Sequence, residues 1–163
     1  MKKVIILWVV LMTLGNCVYA QKNVTVDKDA IITEIGMLVN DRRFNIALRK
    51  CNSALEIFPE DAALYYWKGT IESSLGNKKS ALQAYNKSIE LNPDYAKTYV
   101  MRGICKLGLG DREGALNDYN KAIELDPKNS SAYSMRAIMK LEFGDYAGAS
   151  QDLEISDKLI NEK

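Results

Sequence analysis

The chain has 163 residues, 47% of them hydrophobic and 26% charged, with a formal net charge of +1. That is an ordinary globular composition with room for one domain, and its interspersed charges offer no basic surface for nucleic acid. Histidine is missing altogether, which removes the commonest metal ligand and the commonest general base; no metal site and no cofactor motif is read from the sequence.

Residues 1–20 stand apart from the rest. Lys2 and Lys3 are followed by an unbroken apolar run from Val4 to Met12, and Val18-Tyr19-Ala20 closes the segment with the small or modest residues a leader peptidase reads. The pattern is that of a secretory signal peptide cut before Gln21. A membrane-spanning helix needs about 20 apolar residues, and Thr13, Gly15 and Asn16 interrupt this run too early. A second reading is Leu14-Gly15-Asn16-Cys17, similar to a bacterial lipobox, in which Cys17 carries the lipid; Asn16 departs from the small residue usual there. The expected location is therefore exported, periplasmic or secreted, with a membrane-anchored lipoprotein as the alternative, and membrane contact only if Cys17 is lipidated. Residues 21–27 are polar and aperiodic and read as a tether.

From Lys28 onward the chain repeats itself. Ala81 to Pro93 reads ALQAYNKSIELNP, and 34 positions later Ala115 to Pro127 reads ALNDYNKAIELDP, with nine of thirteen residues identical. The same phase aligns Pro59, Pro93 and Pro127, then Ala47, Ala81, Ala115 and Ala149, then Gly76, Gly110 and Gly144. Four units fit: about 28–61, 62–95, 96–129 and 130–163. Apolar residues recur at three- and four-residue steps on both sides of the phase glycine, so each unit holds two amphipathic helices. The glycine ends the first helix by accepting a left-handed backbone, and the Asn or Asp after it is placed to cap the second. Asn92-Pro93 and Asp126-Pro127 end the second helices, because proline pushes the preceding residue out of helical geometry. Gly69 and Gly103 lie inside first helices at some cost, and are expected to let backbones approach each other near Ala81 and Ala115. The first unit is atypical: Ile35 stands at the Gly69 phase, Arg42 at the turn glycine and Cys51 at the tyrosine. The last departs too, with Leu153 for tyrosine and Asn161 for proline.

A 34-residue period with these marks resembles the tetratricopeptide repeat over nearly all the chain after the leader. The resemblance implies an all-α solenoid of four helix-turn-helix units in a right-handed superhelix, whose first helices line a concave face. Carried onto this sequence, that face includes Tyr66 and Thr70, then Lys97, Val100 and Ile104, then Ser134 and Ile138. Tyr65 and Tyr99 match the repeat's packing positions, so Tyr66, about 100° further round the helix, is the aromatic left for a ligand. Polar clamp residues for a terminal carboxylate are mostly missing: Ile32, Gly36, Thr70 and Met101 stand where they would be, leaving Lys97. The implied partner is another protein or peptide, bound as an apolar segment or amphipathic helix. Trp67, Met101 and Met135 are open between that groove and packing between units.

Catalysis is not expected. Glu72, Glu90 and Glu124 occur at repeat phase rather than converging, and Gly108 and Gly110 form a helix end rather than a phosphate loop. Cys51 and Cys105 fall in units that are not neighbours and are expected as buried free thiols. Two functional classes stay open: an exported adaptor with a binding groove, and a module that pairs with a second copy through its terminal helix, where Leu159 and Ile160 are apolar.

Overall fold

The computed structural model describes residues 4–6 and 23–162. Among these residues eight helices follow one another in four pairs: α1 (Lys28–Asn40) with α2 (Phe44–Ile57), α3 (Ala62–Ser74) with α4 (Lys78–Leu91), α5 (Ala96–Leu107) with α6 (Arg112–Leu125), and α7 (Ser130–Glu142) with α8 (Tyr146–Asn161). Each helix packs on the next in sequence, and α1, α3, α5 and α7 also touch in succession; among the described residues, units further apart do not pack on each other. That nearest-neighbour pattern is an α-solenoid. Among the described residues strands are confined to a ribbon outside it, β1 (Val4–Ile6) paired antiparallel with β2 (Asn23–Thr25), so part of the expected tether is paired with part of the leader. Cys17 and the junction before Gln21 lie outside the described residues. No helix among the described residues is long and apolar enough to cross a membrane.

The turns follow the sequence logic with two departures. Gly76, Gly110 and Gly144 take φ of 84°, 89° and 81°, and Arg42, at the same phase of the first unit, is forced to φ 58°. Asp111 and Asp145 cap α6 and α8 through Gly114 N and Gly148 N, both at 2.9 Å. Asn77 does not cap α4; its amide donates to Glu72 at 2.8 Å instead. Without a proline α8 runs 16 residues, two more than α4 or α6.

Packing inside each unit turns on a pair of volumes. The space above Gly69 is filled by the Tyr85 ring and that above Gly103 by the Tyr119 ring, so these glycines admit an aromatic ring rather than simply a close backbone near Ala81 and Ala115. The fourth unit puts Ala137 and Leu153 at the same phases, and the first puts Ile35 and Cys51 there. Cys51 and Cys105 are buried and free, with thiols donating to Leu64 O at 3.3 Å and Lys78 O at 3.1 Å. Burial pushes the Cys51 thiol up to about 11, with Lys68 opposing.

Polar staples tie the last two units. Arg102 grips Asp118 of its own unit through two hydrogen bonds, 2.9 and 2.6 Å, and donates to Asn86 of the preceding unit at 2.9 Å. Arg136 repeats this with Asp152 at 2.8 and 2.7 Å and with Asn120 at 3.0 Å. Lys106 and Lys140 complete each carboxylate at 3.0 Å. The second unit has Lys68 and Ala84 at these phases, and a cavity of about 260 Å³ opens there beside Tyr65 and Glu72.

Candidate partner-binding groove

The first helices bring Tyr66, Lys97 and Val100 onto one groove of about 360 Å³, with Met101 completing its apolar side. The opposite wall was not legible as a site: Asp126, Lys128 and Asn129 come from the connection between α6 and α7, and Ser130 and Ser131 from the start of α7. The only hint in sequence was that the Asp126-Pro127 turn must lie beside the first turn of the next first helix. Asp126 is occupied locally, accepting from Lys128 N at 3.1 Å. Lys97 and Lys128 form no ion pair among the described residues, in contrast to Lys106 and Lys140. The groove thus has one apolar side, Tyr66 and Met101 over the buried Val100, a polar opposite wall, and two ammonium groups without an ion-pair partner; the expected aromatic and aliphatic surface is only half of it.

Tyr66 is more tightly held than its register implies. Its ring meets Trp67 and Tyr95 edge-on, each with centroids 5.4 Å away, and Tyr85 at 6.4 Å. Burial, reinforced by Tyr95 and opposed by Thr70, pushes its phenol upward. Trp67 belongs to packing: it fills the space over Gly36, where an added Cβ would come within 3.2 Å of its ring. Met101 serves both ends, lining the groove and packing against the cluster of Ala81, Tyr85 and Cys105. Met135 packs against the clusters of both α5–α7 and α6–α7 neighbours.

The remaining expected residues are placed differently. The Thr70 hydroxyl donates to Tyr66 O at 3.0 Å and accepts from Tyr85 OH at 3.4 Å, which commits it to the packing. Ser134 is bonded to Ser156 at 2.7 Å. Ile104 and Ile138 are exposed, 39% and 43%, along the same series of helices but outside the wall of this groove.

Comparison with known proteins adds the decisive observation. The tetratricopeptide repeat family model matches residues 62–95 and 96–129, and a second tetratricopeptide repeat model matches 118–151, together more than half the chain. The chain belongs to the tetratricopeptide repeat family. Such repeats generally serve as protein-binding modules rather than catalysts. Among curated proteins none matches in sequence. Solved structures share the fold at low identity. PilF of Pseudomonas aeruginosa superposes with TM-score 0.76 at 20% identity, over 83% of this chain and 62% of that one. MamA gives 0.72 at 19% identity, over 83% and 80%. The first tetratricopeptide domain of Spaghetti, solved with the HSP90 peptide SRMEEVD, gives 0.67 at 20% identity, over 72% and 93%.

Proposed function

We propose that this tetratricopeptide protein is an exported adaptor whose groove holds an apolar segment or amphipathic helix of an envelope protein. The observation that carries the binding site is the junction of Tyr66, Val100 and Met101 with the unpaired Lys97 and Lys128. The apolar side at Tyr66 and Met101 takes a partner's hydrophobic anchor, and the two ammonium groups select a neighbouring carboxylate on it. The Spaghetti domain, of the same fold, is solved with a peptide, which supports a peptide-sized occupant for this groove too. Export rests on the leader: Lys2-Lys3, the apolar run from Val4 and the Val18-Tyr19-Ala20 ending.

Binding is tested with the chain from Gln21 as bait against envelope proteins of its host, followed by titration of the retained partner. Tyr66→Ala weakens that titration by about 30-fold, the scale of a lost aromatic anchor. Because Tyr66 also packs on Trp67 and Tyr95, that variant costs some stability and needs a folding control. The exposed Lys97→Glu and Lys128→Glu variants leave the fold alone and make binding weaker and less salt-dependent. Normal binding by all three variants overturns the groove assignment. Intact mass of the protein from its host tests export: a chain starting at Gln21 or a lipidated Cys17 supports it, and a retained Met1 in the cytosol refutes it.

A further inference from the structure

The last helix carries a stripe that the repeat covers elsewhere. Tyr146, Leu153 and Ile160 follow at seven-residue spacing on α8, and they are 72%, 43% and 56% exposed. In α2 and the residue just after it the same phases hold Phe44, Cys51 and Phe58, all packed within the first apolar cluster. In α4 and α6 with their C-caps the outer two are polar, Lys78 with Asn92 and Arg112 with Asp126, and only the central tyrosine is aromatic and buried. The apolar version therefore goes with a cover, and on α8 no cover is present among the described residues.

We infer that the cover is α8 of a second copy, packed antiparallel about a two-fold axis at Leu153. The spacing itself is symmetric: Tyr146 lies seven residues before Leu153 and Ile160 seven after, so the two-fold sets Leu153 on Leu153 and each Tyr146 on the other copy's Ile160. Seven-residue spacing is also the repeat that keeps a seam facing a partner helix. Ser150 and Asp157 lie about 60° and 40° round from Leu153 on the same flank, at 100° per residue. The axis brings Ser150 of one copy opposite Asp157 of the other, offset along the helix by about 1.5 Å. The hydroxyl donates, the carboxylate accepts, and the bond forms twice.

Head-to-tail stacking of α1 onto α8 is the competing arrangement, and it lacks the polar contacts that join interior units. At interior junctions a basic residue, Arg102 or Arg136, donates to an asparagine of the preceding unit, Asn86 or Asn120. At the two ends those phases hold Glu34 and Glu154, each ion-paired within its own unit, with Lys50 and Lys158, so neither the basic donor nor the amide acceptor of an interior junction is present. Interior helices also reach the next unit from the phase of Tyr146: Lys78 donates to Gly108 O at 2.7 Å and Arg112 to Glu142 at 2.9 Å. Tyr146 cannot supply that ammonium or guanidinium contact. Missing polar contacts disfavour one register while apolar symmetry selects the other. Since the stripe is on α8 and the groove on α3, α5 and α7, pairing and partner binding are separate properties.

A seam this short belongs to the weak class of interface, so the test is mass as a function of concentration. Analytical ultracentrifugation of the chain from Gln21 should show monomer and dimer exchanging, and Leu153→Asp should raise the dissociation constant by roughly tenfold or more with an unchanged helical circular dichroism spectrum. The surface-exposed Leu153→Cys variant should form a disulfide-linked dimer under mild oxidation, because the axis passes through that position; Met37→Cys should not. A monomer at every concentration, a dimer indifferent to Leu153→Asp, or open-ended oligomers that Glu34→Lys strengthens would each overturn the two-fold assignment.

Discussion

A Cβ built on Gly69 lies 2.5 Å from the Tyr85 ring: glycine and tyrosine share one volume. The Gly103 and Tyr119 pair repeats the relation at 2.6 Å. Gly69→Ala should therefore cost about 1–3 kcal/mol through overpacking, although alanine is the better helix former. Combining it with Tyr85→Leu should recover part of the loss, since the smaller side chain gives up the ring's share of that volume. Urea unfolding of the two single variants and the double variant measures the coupling; additive losses would contradict a shared volume.

Arg42 holds φ 58° where every other unit has glycine. Replacing it with glycine should stabilise the chain by about 1 kcal/mol, because a left-handed residue with a Cβ is strained. Thermal unfolding should rise by roughly 2–4 °C for a chain of this size.

Tyr85 and Tyr119 differ in one respect that a conservative substitution exposes. Tyr85 OH reaches the Thr70 hydroxyl, but the Thr70 phase of the next unit is Ile104, and Tyr119 OH is buried without a partner. Tyr119→Phe should be neutral or stabilising by up to about 1 kcal/mol, and Tyr85→Phe mildly destabilising. Chemical denaturation of the two variants side by side decides it.

The two helices per unit, their ends and the four-unit register were legible because a 34-residue period repeats every local signal, so each glycine or proline is read several times. What the repeat could not convey is what differs between units. The phases of Thr70 and Ile104 are one position in the pattern, yet one partners a tyrosine and the other orphans it. Tyr66, Lys97 and Val100 were legible from the register as a shared face. Ser134 was placed there as well, but its hydroxyl goes to Ser156, a pairing set by the single serine at that phase of α8. The wall formed by Asp126 and Lys128 escaped notice because a connection between units carries no helical periodicity.

Burial of Asp152 works against its charge, yet hydrogen bonds from Arg136 and Lys140 outweigh that and hold its carboxyl below the usual range. Its contribution is then present above its unfolded pKa of about 4 and disappears as pH falls through the lower folded value. Stability should be flat from neutrality to about pH 5 and drop below pH 4, with Asp152→Ala losing about 3 kcal/mol at pH 7 and showing a shallower acid limb. Denaturant midpoints between pH 2.5 and 7 provide the check.

At the alkaline end the sign reverses. Cys51, pushed up to about 11 by burial, and Tyr119, pushed up to about 12, stay protonated in the fold after the unfolded chain has ionised. Stability should hold up to about pH 9 and then fall by about 1.4 kcal/mol per pH unit for each such group in its window. Cys51→Ala should delay the onset, read as a change in the shape of the pH profile rather than in its height.

The solenoid is held by different forces along its length. The first two units share the broadest apolar cluster, from Ile35 and Leu38 through Phe58 to Ile71, while the last two lean on the Arg102 and Arg136 staples. Solvent conditions can therefore choose the end from which this rod unravels. Cooling weakens the hydrophobic grip and loosens the front, whereas salt screens the partly exposed guanidinium and ammonium groups and loosens the rear. In a stack whose units touch only their neighbours, either end can melt while the other still stands.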